Sequence, residues 1–174
     1  RIYLDYNATA PVRPEAAAAV AEALAAAGDL SSVHRFGRAA RERVEDAREQ
    51  VAALIGAAPA EIVFTGGGTE ANALAFAGAG RARILVSAIE HDSVLAPAAA
   101  LDPETPRIPA TRDGTVDLGA LDRLLAGRGA ETIVSLMLAN NETGVIQPVA
   151  EAARRVHAAG ALLHCDAIQA AGKI

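Results

Sequence analysis

Four short groups of polar residues in this sequence have types and spacings suited to chemistry. Gly66-Gly67-Gly68-Thr69 comes directly after an apolar run and directly before a helical pattern. Amide groups at a helix N-terminus are free to bind an anion, and glycines let a phosphate approach the backbone. Thr69 adds a hydroxyl. Asp166 follows the apolar segment Ala161 to Cys165. A carboxylate there is partly desolvated and favours a cationic partner such as a protonated ring nitrogen. His91 follows another apolar run and has the chemistry to stack on a flat ring or to move a proton. Asn140 and Asn141 stand at the end of a third run, where adjacent amides can bind a ligand's oxygens. Each group also has a plain structural use. The glycines suit a tight turn, Asp166 and His91 suit helix caps, and Asn140 to Gly144 suits a turn.

The identity of a phosphate ligand is open at this level. A P-loop needs Gly-Lys-Ser/Thr after its glycines, and the sole lysine, Lys173, is followed by Ile174. A dinucleotide site remains: Gly66, Gly68 and Ala71 satisfy G-x-G-x-x-A, with the acidic Glu90 about twenty residues on. That alternative leaves His91, Asn141 and Asp166 without a role.

The elements that must position these residues follow from periodicity and punctuation. Helices are expected from Pro14 to about Ala27 and from Arg38 to Ile55, the second with Val44, Ala47, Val51 and Leu54 on one face. Further helices are expected from Thr69, from His91 to Leu101, from Asp117 to Ala126 and from Pro148 to Ala159. Strands are expected at Glu61 to Thr65, Arg83 to Ser87, Thr132 to Leu138 and Ala161 to Cys165, all in one sheet. Pro103, Pro106 and Pro109 mark an irregular crossing. Apolar strands alternating with amphipathic helices make an α/β fold with a largely parallel sheet. Ligands on such sheets bind beyond the carboxyl ends of the strands, where Gly66, Glu90, Asn140 and Asp166 stand.

Composition excludes some functions. The net charge of -5 with interspersed signs offers no basic footprint for nucleic acid. No 18-residue apolar run suggests a membrane span, and nothing at the start reads as a signal peptide. The single cysteine, Cys165, allows no intrachain disulfide and fits a reducing, cytoplasmic setting. No metal site is expected. The sequence opens at Arg1 without methionine and closes at Ile174 where another strand could start, so it reads as a fragment.

An ordered series of motifs resembles one family. Tyr3 to Val12 looks like the opening of the NifS- and IscS-like cysteine desulfurases of the class V aminotransferases, and Ser31 to Gly37 resembles their next signature. Phe64 to Asn72, Glu90-His91, Asn140 to Gln147 and His164 to Lys173 follow in the family's order, so the resemblance covers the whole chain. It implies the N-terminal part of a fold-type I enzyme of the pyridoxal-phosphate-dependent transferases, homodimeric when intact. Residues 1–14 would form an arm on the small-domain side, and residues 15–174 the first part of the cofactor-binding large domain. Gly68 and Thr69 would bind the phosphate, His91 would stack on the ring and serve catalysis, and Asn141 would contact cofactor or substrate. Asp166 would pair with the pyridine nitrogen, and Gln169 would reach the phenolic oxygen. The implied reaction takes sulfur from L-cysteine, leaving alanine and an enzyme-bound persulfide. Its partners would be sulfur acceptors or scaffolds of iron–sulfur or thio-cofactor assembly. The family's Schiff-base lysine and persulfide cysteine have no counterpart in residues 1–174. Lys173 matches a non-catalytic position and Cys165 a core strand position. This chain alone is therefore expected to be inactive, and a selenocysteine lyase or a non-catalytic truncated scaffold would carry the same residues.

Overall fold

The computed structural model describes residues 2–174; Arg1, the first residue of the expected arm, lies outside the described residues. The chain divides into two compact units between Phe64 and Thr65.

The first unit is helical. Residues 2–12 are exposed and precede α1 (Pro14–Ala25), which has proline in its first turn and buries none of its residues. Helix α2 (Arg35–Ile55) starts three residues earlier than the sequence pattern suggests, because the His34 ring accepts a bond from Gly37 N and caps it. Gly37 is required there: a Cβ would lie 2.2 Å from the Ser32 carbonyl oxygen and 2.7 Å from that of Asp29. Asp29 in turn binds the amide and hydroxyl of Ser31. This explains the run from Ser31 to Gly37 as a turn pressed onto the first turn of a helix. Gly56, with φ 71°, ends α2 in the left-handed conformation.

The strand expected at Glu61 to Thr65 is absent from the sheet. Pro59–Glu61 is a 3-10 turn, and the residues after it are extended but unpaired. Val63 and Phe64 are exposed, while the Arg48 guanidinium donates to the Ile62 carbonyl and lies 5.1 Å from the Phe64 ring centroid. β-Propensity makes a segment extended, but a strand also needs a neighbour's N–H and C=O groups. Among the described residues no strand supplies them.

The second unit is the α/β part. It contains α3 (Gly68–Gly78), β1 (Arg83–Ser87), α4 (Asp92–Leu101), β2 (Arg107–Ile108), α5 (Leu118–Leu125), β3 (Thr132–Ser135), α6 (Val149–Ala158) and β4 (Leu162–His164). The four strands form one sheet in the order β2-β1-β3-β4, parallel throughout. Strand β2 lies in the stretch expected to be irregular. Pro106 and Pro109 flank it and hold it to two residues, since proline cannot donate to a ladder.

Both faces of the sheet are covered. Leu85 and Val134 join Leu121, Leu125, Ala152 and Val156 beneath α5 and α6. Ile84, Val86 and Ile133 join Phe76, Val94 and Ala98 beneath α3 and α4. The alternation along β1 and β3 is the two-residue period of a strand, with both faces apolar as a parallel sheet requires. Asp117 caps α5 by accepting from Ala120 N. From β1 the chain passes to β2 on one side and later to β3 on the other. The order therefore reverses at β1, and the crevice between the exits of β1 and β3 is the switch point where such folds bind ligands.

Leu85 is fully buried at the centre of this sheet. Leu85→Ala should cost about 2–5 kcal/mol of unfolding free energy in urea denaturation. The exposed Leu54→Ala should cost well under about 1 kcal/mol.

Candidate functional site

The strand exits converge as the parallel topology demands, and the side chains of Asn72 and Ser93 connect those of β1 and β4. Asn72, in the second turn of α3, is buried and donates from Nδ2 to Asp166 Oδ2 at 3.0 Å and to Ser93 Oγ at 3.2 Å. Ser93 Oγ lies 2.9 Å from His91 Nδ1. Asp166 beyond β4 and His91 beyond β1 thus belong to one hydrogen-bonded chain, anchored on the helix that begins at Gly68.

His91 is the N-cap of α4. Its Nδ1 accepts from Ser93 N at 3.0 Å, so the proton of the neutral ring sits on Nε2. The capping use of this histidine is real, and it leaves the Nε2–H edge of an exposed ring available. Asp166 is half-buried. Its Oδ1 accepts from Ile168 N at 3.1 Å and its Oδ2 from Asn72, both neutral donors. Among the described residues it has no ion pair.

The glycine loop starts the helix one residue earlier than expected, with Gly67 as N-cap and Gly68 already in α3. A Cβ at Gly67 or Gly68 would meet nothing within 4 Å, so the backbone there is open to an approaching group. Gly68 and the exposed Thr69 are the first two residues of α3, whose leading N–H groups have no acceptor within the helix. Thr65 Oγ1 donates to Gly67 O at 3.1 Å, and Glu70 Oε2 accepts from Gly66 N at 2.6 Å. Both bonds brace the loop from its own ends. Glu70 was not singled out by sequence reasoning; a capping-type spacing of four residues from Gly66 was the available signal.

The two asparagines separate in role. Asn140 is buried and builds the turn: its Oδ1 accepts from Glu142 N, Thr143 N and Thr143 Oγ1, and its Nδ2 donates to Ile89 O at 3.0 Å. Asn141 is half-buried beside it, with Nδ2 on Glu142 Oε1 at 2.7 Å. Gln169 is half-buried in the turn after Asp166, and its Oε1 accepts from Lys173 Nζ at 2.6 Å. Both stand at strand exits, each engaged locally. Residues missed from sequence are Asn72 and Ser93, whose polar side chains on helices carry no signal until tertiary structure brings them together.

Glu90 corrects the dinucleotide alternative. Instead of facing a ribose it is turned inward, 7% exposed, with Oε1 on Ser87 Oγ at 2.5 Å and Met137 N at 2.8 Å. An acidic residue spent inside the protein cannot bind a ribose hydroxyl. Burial, and then the nearby charge of Asp166, push its carboxyl above the ordinary range, against the pull of its hydrogen bonds. His164, on β4, was also missed. It lies 2.8 Å from Ser135 Oγ and against the Phe76 ring, and burial lowers its pKa. Among the described residues no cluster of side chains suits a metal ion, and no helix is long and apolar enough to cross a membrane.

The doubly covered parallel sheet and the polar residues at its switch point define an α/β ligand-binding fold. The aminotransferase class-V family model matches residues 2–174, and the chain belongs to that family. It is 44% identical to a cysteine desulfurase of Cereibacter sphaeroides, over 100% of this chain and 47% of that protein. It is 37% identical to a selenocysteine lyase of Bos taurus, over 99% of this chain and 48% of that protein. The structure of a NifS-like protein from Rickettsia africae superposes with a TM-score of 0.90 at 34% identity, covering 99% of this chain and 49% of that one. The chain spans about half the length of these relatives.

Cys165 is half-buried on the exit of β4, and burial, then Glu90 and Asp166, push its thiol up to about 11. Its reactive thiolate is correspondingly scarce. Alkylation by iodoacetamide at pH 8 should be about a hundredfold slower than in the urea-unfolded chain. Mass spectrometry over a time course checks this.

Proposed function

We propose that this chain is the cofactor-cradling part of a pyridoxal-phosphate-dependent cysteine desulfurase. The observation that carries the proposal is the chain Asp166–Asn72–Ser93–His91, which sets a carboxylate and an imidazole at neighbouring strand exits. The donor set fits the cofactor's parts. A phosphate suits the open backbone at Gly67 and Gly68, with the Thr69 hydroxyl beside it. A protonated pyridine nitrogen suits the carboxyl of Asp166, which is half-buried and without an ion pair among the described residues. Asn72 fixes that carboxylate's orientation. His91, whose imidazole is held by Ser93, would lie against the ring, and its Nε2–H edge would be available to move a proton. Asn141 and Gln169 are assigned to cofactor or substrate oxygens.

When bound, pyridoxal phosphate supplies a ring that accepts negative charge developing on the substrate carbon. Asp166 would support that capacity by accepting a hydrogen bond from a protonated ring nitrogen. The Schiff-base lysine and the sulfur-carrying cysteine are assigned to a longer protein. Lys173 is engaged with Gln169, and the Cys165 thiol resists ionisation. We assign the longer protein L-cysteine as substrate, a homodimeric state, a cytoplasmic setting and sulfur acceptors as partners. Residues 1–14 are assigned to an arm on its small-domain side. The likeness to a selenocysteine lyase keeps selenocysteine as the second substrate to test.

Equilibrium titration followed by absorbance tests the cradle. Pyridoxal phosphate should bind this chain reversibly, and excess dinucleotide should not compete. Asp166→Ala should weaken binding about tenfold or more, the loss expected of a charge-assisted hydrogen bond. Borohydride treatment should leave no stoichiometric adduct on Lys173 by peptide mapping. Binding unaffected by Asp166→Ala but lost in Thr69→Ala would remove Asp166 from the ring nitrogen.

A further inference from the structure

Glu90 is the one buried acid at the switch point, and the proposed chemistry leaves it without a task. It is 7% exposed, and one carboxyl oxygen accepts two bonds, from Ser87 Oγ at the end of β1 and from Met137 N just past β3, with the Ser135 hydroxyl close by and also favouring its charged form. Its other oxygen, Oε2, is buried with no hydrogen-bond partner. No ion pair reaches it among the described residues. The groups facing it are Ser135 from β3 and, from β4 and its exit, Cys165 and Asp166. His164, bonded to Ser135, is the nearby base on β4, and burial disfavours its cationic form. His91 is the next residue and is held by Ser93 instead.

An ionised carboxylate in this position would be desolvated, unpaired at one oxygen and beside a second carboxylate. A protonated one avoids burying a charge and the repulsion from Asp166: its two accepted bonds fall on the carbonyl oxygen, and the proton sits on Oε2. We infer that Glu90 is an uncharged acid that clamps the exit of β1 to the exit of β3 and so positions His91. A second bond, from Asn140 Nδ2 to Ile89 O, closes the same seam one residue earlier. The loop carrying His91 is therefore held from the β3 side at two successive residues, Ile89 and Glu90. Glu90 acts through His91 and touches no ligand, so it is a positioning residue. Only the consequence for His91 at a cofactor rests on the function proposed above; the clamp and the proton do not.

The sign of the pH effect follows from linkage. A carboxyl whose folded pKa is raised stabilises the fold below its unfolded pKa, and that stability is lost as pH rises through the folded value. Glu90→Gln keeps the accepting oxygen and cannot ionise, so it should match wild type in urea unfolding at about pH 4 and below, where the unfolded glutamate is also protonated. At higher pH it should become the more stable chain, the folded-to-unfolded ratios diverging by up to about tenfold per pH unit within the window. Glu90→Ala leaves the Met137 amide and the Ser87 hydroxyl unsatisfied and should be less stable at every pH, by about tenfold or more in the same ratio. Pyridoxal phosphate affinity should stay within about twofold in Glu90→Gln and fall in Glu90→Ala. Parallel pH curves for wild type and Glu90→Gln would overturn the uncharged acid, even if Glu90→Ala does not fold. Equal stability of Glu90→Ala and wild type would overturn the clamp. A wild-type chain that takes up no pyridoxal phosphate, while Glu90→Gln still diverges from it with pH, would support the uncharged acid and overturn the cofactor reading.

Discussion

The pairing of β1 with β3 is the constraint on which the rest of the second unit depends. Four residues of each strand pair, from Arg83 with Thr132 to Val86 with Ser135, and all eight are buried. Parallel strands cannot be joined by a tight turn, so this pairing forces the chain through α4, β2 and α5 before it returns. The detour covers both faces and places the exits of β1 and β3 side by side. Every polar group of the site is reached from those exits or from an element packed on them.

That arrangement explains why the site can hold polar residues so near a core. Ser87 and Ser135 end their strands fully buried, and Glu90 and Asn140 lie just beyond them. Each is bonded to a strand end or a loop backbone, so the polar layer meets the apolar layer without leaving most groups unpaired. Asn72 belongs to the same layer from the helix side. It spends its amide on Asp166 and Ser93, which couples α3, α4 and the exit of β4. A helix whose next turn is pinned in this way has the position of its open N-terminus set by the sheet.

The family relationship and the geometry divide the explanation between them. Membership in the class V aminotransferases accounts for the order of the motifs along the chain. Geometry separates motifs that face a ligand from motifs that build structure. Asn140 and Glu90 are builders: one folds the turn after β3 and the other seams two strand exits. The turn from Ser31 to Gly37 is a builder too, since Gly37 is there because a side chain would strike the Ser32 carbonyl.

What sequence alone determined is local. Strand β1, the helices at Asp92, Leu118 and Val149, and the Asp117 cap follow from apolar spacing and from residues whose preferences act within one turn. The placement of His91, Asn141 and Asp166 after apolar runs was likewise legible, because a parallel sheet puts loop starts at one edge. Tertiary structure decided what depends on partners distant in the chain. Glu61 to Thr65 has strand-forming residues, yet it stays unpaired because pairing is a property of two segments. Strand β2 exists despite its prolines because β1 offers a free edge. Glu90 looks from its spacing like a ligand contact, and only the proximity of Met137, 47 residues away, turns it inward. Asn72 carries no signal in its own neighbourhood, and its role appears only when Asp166, 94 residues later, comes within hydrogen-bond distance. Short-range preference acts along the backbone, but a buried polar group is defined by whatever the fold brings to it.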